Sequence, residues 1–554
     1  MRANGSLPAA RVRVPAPLLA RITARPRGPS AMSVVSVLDP APTRPPAATQ
    51  QPGEGVPEPP ALTARLQVSL LTRWSLGLVL AAQCALSLRL VWSNTAFQDE
   101  ALYLRAGHLE WEHWLHGAAV PPFAAYFSGA PVLYPPLGAL ADSAGGLTAA
   151  RLLSLAFMLA TTCLLWTTSS RLYGLRAALL SAALFATLAG TQVLGALATY
   201  DAMALFLLAL SAWLAVRAAD CPRGPQAALL ILAGGTLALA DAVKYSAALF
   251  TPVVVLLAGA AMWRRDRTWA AAATAGTILG SWLALVIAGV RAGGAVYWHG
   301  ITTSTIDRAP SNAGVALVVE RSYVWTSLVL VLAALGVVLA IRSKERARLL
   351  PALLLTAAVL VPVEQARLHT TVSLQKHVVF GAWFAAIAAG YALARLSRVD
   401  TGRGWAPVMA IPIVASTLFG SLAQAGGLFR VWPNASAAIA VLRSAVRTHP
   451  GHYLAEDYDV EAYYLRGQVA WQRWSDTYYY RFPGQPPGPA SYAAAVGHHY
   501  FALVILDFGD TARADKAIVA DIGRAGGYYV LTRAGQFTIW ARQSSAARGA
   551  GSRP

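Results

Sequence analysis

The chain has 554 residues, of which 56% are hydrophobic and only 13% charged, with a formal net charge of +19 and a mean hydropathy of +0.47. Soluble globular domains carry about 25% charged residues, so this balance excludes a soluble enzyme. It also excludes nucleic acid as the reason for the basic charge: the Arg and Lys residues lie mostly in an N-terminal polar tail and in short loops between apolar segments, which is a topology signal.

Residues 1–62 are rich in Pro, Ala and Arg and show no apolar period. Such a stretch buries too little surface to offset chain entropy and reads as a disordered cytoplasmic tail. It lacks the short apolar core and small-residue cleavage site of a signal peptide. From Trp74 to Gly426, apolar runs recur at the length of about 20 residues that a roughly 30 Å hydrocarbon core demands. The predicted spans lie near Trp74–Trp92, Leu147–Thr168, Ala177–Ala196, Ala202–Val216, Gln226–Ala242, Tyr245–Met262, Trp269–Val290, Tyr323–Ile341, Leu349–Val363, Val378–Leu396 and Pro407–Ala425. The expected fold is a polytopic α-helical membrane protein of about eleven transmembrane helices, within residues 63–429.

The connecting loops alternate in charge. Arg171 and Arg176, Arg217 and Arg223, Arg264 to Arg267, Arg342 to Arg348 and Arg395 to Arg403 fall on one side, which the positive-inside rule makes cytoplasmic. The opposite loops collect Asp99 and Glu100, Asp201, Lys244, Arg308 to Arg321, and Glu364 to His377. Any chemistry is therefore expected to face outward. Residues 430–542 have soluble character: a helical pattern from Asn434 to Arg447, a strand at His499–Phe508, a helix at Thr511–Arg524 and a hairpin around Ala534-Gly535. They are expected to form a small α/β extracytoplasmic domain, followed by a disordered tail at 543–554.

Within the first outer loop, residues 93–146, Asp99-Glu100 opens an amphipathic stretch, Ala101–His116, expected to lie along the membrane surface. Acids favour helix N-termini, so the pair reads either as a helix cap or as chemistry. Tyr134-Pro135-Pro136 predicts an extended turn before the second span. Asp201, at the junction of the third and fourth spans, is a functional candidate because an ionisable group there is costly, or else a cap. Lys244-Tyr245 sits similarly between the fifth and sixth spans, and an outward lysine opposes the positive-inside bias. The run from Glu364 through Arg367 and His369 to Lys376 and His377 interrupts apolar sequence and supplies cations for a phosphate. His108, Glu112, His113 and His116 have spacings that suit either a metal or an ordinary amphipathic surface, and the three cysteines form no pair by spacing.

Taken in order, Phe97-Gln-Asp-Glu-Ala-Leu-Tyr, Tyr134-Pro-Pro-Leu, Thr199-Tyr-Asp-Ala-Met-Ala, Lys244-Tyr-Ser and Lys376-His-Val-Val-Phe-Gly form a set. The set resembles the GT-C superfamily of integral-membrane glycosyltransferases, and more narrowly the dolichyl-phosphate-mannose–protein mannosyltransferase and lipid A aminoarabinose transferase group, glycosyltransferase family 39-like. The resemblance covers about Trp74 to Gly426. It implies transfer of one sugar from a polyprenyl-phosphate donor to a glycan, lipid or protein acceptor at the outer face of the membrane, and the heavy use of Ala, Arg and Gly suggests a GC-rich bacterial genome and hence a plasma membrane. By that analogy Asp99 is the general base with Glu100 beside it, Asp201 contacts the sugar or braces Asp99, and Tyr134, Lys244, Tyr245, Arg367, His369, Lys376 and His377 bind substrate. The leaving group is already a phosphate, so no cofactor or metal is required. The rival class is a multi-span transporter or lipid flippase, which would place its ionisable residues near the bilayer midplane.

Overall fold

The computed structural model describes residues 62–263, 268–343, 349–397 and 406–543. The tails expected at 1–62 and 543–554 lie outside the described residues, save Leu62 and Gln543. The membrane part consists of thirteen helices: α1 (Leu62–Val91), α2 (Gln98–His116), α3 (Tyr134–Tyr173), α4 (Leu175–Thr187), α5 (Ala189–Leu194), α6 (Tyr200–Ala218), α7 (Arg223–Val243), α8 (Thr251–Trp263), α9 (Thr268–Ser304), α10 (Val315–Arg342), α11 (Leu350–Arg367), α12 (Leu374–Leu396) and α13 (Ala406–Leu428).

Among the described residues nine helices are long and apolar enough to cross a membrane, and a tenth if the bent pair Val315–Thr326 and Leu328–Arg342 counts as one span. The count falls short of eleven at the segment expected over 177–196. There α4 is only 13 residues, about 20 Å at 1.5 Å per residue, and extended backbone at Leu188 separates it from the six-residue α5.

α12 is the central helix, apolar all round and buried from Val378 to Ala394, as a helix without a polar face must be. Its neighbours approach closely because glycine lies at the crossings. A Cβ on Gly381 would stand 2.7 Å from the Ala357 carbonyl oxygen of α11, and one on Gly390 would stand 2.5 Å from that of Ala177 in α4. Small residues at such crossings are the usual device for close helix packing in lipid. The first turn of α12 is thereby held at a defined point, and it carries Lys376 and His377.

One feature of the first loop differs from expectation. Tyr134 does not lie in an extended turn; it begins α3, with the prolines in the first helical turn, where a missing N–H costs nothing. α3 then bends at Gly145-Gly146, where Gly146 adopts φ +65°. α2 is covered on two sides. It packs between α3 and the C-terminal domain, with Ala101, Leu104 and Ala106 fully buried while Leu115 is exposed, and Trp111 Nε1 donates to the Pro136 carbonyl at 2.9 Å.

The C-terminal domain comprises α14 (Ser436–Thr448), β1 (His452–Ala455), α15 (Tyr458–Tyr464), β2 (Trp474–Ser475), α16 (Pro489–Gly497), β3 (Phe501–Leu506), α17 (Ala512–Ala525), β4 (Tyr528–Ala534) and β5 (Phe537–Arg542). Its sheet runs β2-β1-β3-β5-β4, parallel among β2, β1 and β3 and antiparallel beyond. The predicted strand, both helices and the hairpin at Gly535 are present; β1, β2, α15 and α16 were not predicted. The two strands are four and two residues long, too short to show a period. α15 docks the domain on the first loop. Arg105 on α2 pairs with Asp459 at 2.5 Å, and buried Asp142 accepts from Tyr463 Oη at 2.5 Å while Arg466 and His108 lie 3.0 and 2.6 Å away.

Candidate active site

Polar residues of the outer loops meet at one end of the helical bundle. Phe97 precedes α2 in an extended conformation, and Glu100 accepts from the Phe97 N–H at 2.8 Å, the carboxylate half of a capping box. The adjacent acids therefore part company. Both Glu100 oxygens are committed: fully buried, they take a bidentate pair from Arg151 at 2.8 and 2.7 Å and the Ala198 N–H at 2.7 Å. Arg151 also donates to the carbonyls of Val91, Asn94 and Thr95. This dyad ties the end of α1, the start of α2 and the approach to α6 into one unit. Arg151 went unnoticed in the sequence because it lies inside an apolar span.

Asp99 turns the other way, with its side chain a quarter exposed. It is ion-paired with Lys376 of α12, whose side chain is nearly buried. Lys376 also approaches Asp201 Oδ2 at 4.0 Å, and Asp201 Oδ1 is 2.5 Å from Lys244 Nζ. The result is a line of alternating charge, Asp99–Lys376–Asp201–Lys244. A lysine in the first turn of a helix opposes the helix dipole; the two flanking carboxylates offset that cost for Lys376. Aromatic faces close the sides, with Phe97 at 5.6 Å from Lys376 Nζ and Tyr200 at 4.7 Å from Lys244 Nζ.

Lys244 is extended between α7 and the following short 3-10 turn. The chain over Ser128–Ala130 clamps it: Tyr245 N–H donates to the Ser128 carbonyl at 2.9 Å, and Ala130 N–H to that of Ala242 at 2.7 Å. A Cβ on Gly129 would stand 2.0 Å from the Val243 carbonyl oxygen, so this contact needs glycine.

Tyr245 and His377, the residues after Lys244 and Lys376, turn into a cavity of about 450 Å³. Its walls are apolar along α7 and α9, including Trp282 and Leu285, and polar at the end formed by Arg308, Glu364, Gln365 and His377. Gln365 Nε2 donates to His377 Nδ1 at 2.9 Å. Asp241, also in the wall, accepts from Trp282 Nε1 at 2.8 Å and the Thr251 hydroxyl at 3.0 Å. The sequence marks Arg308 only as one of the polar residues of an outer loop, and it hides Asp241 inside a span.

Three other candidates lie elsewhere. Arg367 is exposed and holds both Glu364 oxygens, at 2.9 and 2.6 Å. His369 is exposed, with φ +48° and Nδ1 3.1 Å from the Ala313 carbonyl. Tyr134 is fully buried in the helical core. His108 is committed to Asp142, and among the described residues the acidic group spaced to hold a metal is Glu456, Asp507 and Asp515.

Residues 139–292 match the family described as dolichyl-phosphate-mannose-protein mannosyltransferase. The chain superposes on ArnT from Cupriavidus metallidurans bound to undecaprenyl phosphate with a TM-score of 0.55 and 15% identity, covering 86% of this chain and 99% of that one. The fold is that of the GT-C glycosyltransferases. The Archaeoglobus fulgidus oligosaccharyltransferase shares it at a TM-score of 0.57 and 12% identity, over 86% of this chain and 74% of the other. A mycobacterial arabinofuranosyltransferase AftD matches at 0.50 and 14%, over 85% and 40%. No curated protein matches in sequence. The GT-C likeness runs through the membrane helices and, given its coverage of ArnT, into the C-terminal sheet domain.

Proposed function

We propose that this protein transfers a single sugar from a polyprenyl-phosphate donor to a glycan, lipid or protein acceptor at the outer face of a bacterial plasma membrane. The N-terminus would be cytoplasmic and the C-terminal domain outside. The observation that carries the reading is the charge line Asp99–Lys376–Asp201–Lys244 beside the cavity. Transfer from a lipid phosphate needs a base for the acceptor proton, cations for the leaving phosphate and an apolar groove for the carrier.

Asp99 is the base, since its partial exposure lets an acceptor reach it. Lys376, Lys244, Arg308 and His377 surround the phosphate, with Tyr245 in the same wall. Asp201 holds the two lysines apart in fixed positions. Glu100 acts through Arg151 as a positioning group, and Arg367, His369 and Tyr134 fall outside this set. The apolar wall takes the first units of the lipid; the ArnT structure bound to undecaprenyl phosphate supports a carrier of this kind. The chemistry as proposed requires no metal, because phosphate leaves without Lewis-acid help when cations already face it.

The test is sugar transfer by the purified protein from a panel of polyprenyl-phosphate sugars, comparing the parent with Asp99→Asn. Loss of a general base lowers kcat by about 10²–10⁴-fold. Equal rates from every donor that works would sink the assignment.

A further inference from the structure

The C-terminal ends of α1 and α13 carry two arginines that the transfer chemistry leaves unused. Both helices are mostly uncovered along their spans. On α1 the exposed residues Trp74, Leu78, Ala82, Ala85 and Arg89, with Trp92 just beyond, recur every three or four positions and form one helical stripe. Arg89 is the single charge in it. On α13 the exposed residues Ser416, Phe419 and Ala423 lead, two turns on, to the exposed Arg430. The two ends are tied together, because Asn94 Nδ2 donates to the carbonyls of Phe429 at 3.0 Å and Trp432 at 3.1 Å.

The arginines converge on a glycine. A Cβ on Gly426 would stand 3.6 Å from Arg89 Nη1 and 3.6 Å from Arg430 Nη1, and no other atom outside its own stretch of helix lies within 4 Å. The two guanidinium groups thus flank an open space and lie no further apart than twice that distance. Arg89 has a built support: its Nη2 donates to Gln192 Oε1 at 2.9 Å and to the Leu422 carbonyl at 3.2 Å. Gln192 is fully buried and fixed in turn, donating to the Thr187 carbonyl at 2.9 Å. Among the described residues no carboxylate pairs with either arginine, and the Arg430 side chain makes no hydrogen bond. Helix C-termini favour cations, which accounts for one arginine at each end. It does not account for two on one point: like charges closer than a Debye length of about 8 Å repel unless an anion sits between them.

We infer that Arg89 and Arg430 together bind the phosphate diester of an anionic phospholipid over Gly426, with the acyl chains along the apolar stripes of α1 and α13. Guanidinium forks match phosphate oxygens, and basic pockets between membrane helices hold anionic headgroups. The exposed Trp92, one turn beyond Arg89, marks the headgroup level, where tryptophan concentrates. Below it the stripes offer no partner to a soluble anion but suit hydrocarbon. The site uses no residue of the proposed transfer and stands or falls without it; only the leaflet, the outer one, follows from the proposed orientation.

The full-length protein in detergent is titrated with phosphatidylglycerol, phosphatidylcholine and inorganic phosphate, and bound lipid is followed by native mass spectrometry. Phosphatidylglycerol is expected to bind about tenfold or more tightly than phosphatidylcholine, whose headgroup brings its own cation. Arg430→Gln should weaken phosphatidylglycerol by about tenfold, the scale of one charge-assisted hydrogen bond. Gly426→Leu should weaken it as much by filling the space between the guanidinium groups, and it leaves the net charge unchanged. Arg443→Gln, exposed on α14, should leave binding at the parental level. Equal affinity for the two lipids, or parental affinity in both Arg430→Gln and Gly426→Leu, overturns the site. Displacement of phosphatidylglycerol by inorganic phosphate at equal concentration assigns the pair to a soluble anion and overturns the lipid.

Discussion

Lys376 is ion-paired with Asp99, a residue 277 positions earlier in the chain. The pair joins the first turn of α12 to the first turn of α2, and Asp201 lies on the other side of the same ammonium group. In the proposed reaction, one lysine thus links the base to the donor phosphate. Lys376→Met should raise donor KM and lower kcat together, by about 10–100-fold in kcat/KM for one charge-assisted contact of about 1.5–3 kcal/mol. Asp99→Asn should act on kcat alone. Steady-state kinetics with a soluble-length donor separates the two, and a Lys376→Met enzyme with parental donor KM would remove Lys376 from the phosphate site.

Asp201 is fully buried between two lysines. Removing one partner of a buried ionic cluster costs about 3–5 kcal/mol, because the remaining charges stay desolvated. Asp201→Asn should therefore lower the melting temperature in detergent, and Asp201→Asn combined with Lys244→Met should recover part of the loss. Simple additivity of the two changes would show that the residues are not coupled.

The Glu100–Arg151 dyad predicts a different signature. Arg151→Met strands a buried carboxylate and the three backbone carbonyls that Arg151 holds, those of Val91, Asn94 and Thr95, so stability should fall by about 3–5 kcal/mol. Enzyme that remains folded should show reduced kcat with an unshifted pH profile, since neither group meets substrate. A shifted profile would instead place Glu100 among the titrating groups of the reaction.

Gly129→Ala tests whether the clamp on Lys244 matters. The new Cβ, at 2.0 Å from the Val243 carbonyl oxygen, must push the strand-like contact apart at a cost of about 1–3 kcal/mol. Donor KM should rise along with the loss of stability. A variant as stable and as tight-binding as the parent would mean that the loop is free to move.

The acidic trio Glu456, Asp507 and Asp515 in the C-terminal sheet domain makes stability depend on pH. Burial first, and then the neighbouring Glu456, push Asp507 up to about 7 and Asp515 up to about 8. Hydrogen bonds to its neighbours hold Glu456 down at about 2 against its burial. A raised carboxyl pKa means that the folded state holds more protons than the unfolded one between pH about 4 and 8, so stability falls as pH rises through that window. Glu456 has the opposite sign, and its contribution is lost as pH falls from about 4 towards 2. Chemical unfolding followed at β1 and β3 should show the decline, and Asp507→Asn should flatten it. A flat profile in the parent would contradict the trio's shared protonation.

Some of this architecture is legible residue by residue and some is not. The strand at Phe501–Leu506 and the amphipathic helix after it are read from period alone, whereas β2, with two residues, has no period to read. α4 was expected to span because its composition is apolar, yet the chain turns extended at Leu188, a choice made by packing against α12 and not by propensity. Of the polar run Glu364–His377, both ends, Gln365 and His377, line the cavity while Arg367 and His369 between them are exposed, because the backbone reverses between His369 and Ser373, both at positive φ.

Asp99 and Glu100 show the division most sharply. Composition and the length of the apolar runs determine that the chain spans a membrane, because a helix needs about 20 apolar residues whatever its neighbours are. Charge alternation between loops is equally local and places the acids, lysines and histidines in one set of loops. Which acid does what was decided only in three dimensions. Successive helix residues point about 100° apart, so adjacent carboxylates face different partners: one meets an arginine 51 residues on, the other a lysine 277 residues on. Those partners come from α3 and α12, and no local signal in the sequence marks which helices will pack against the start of α2.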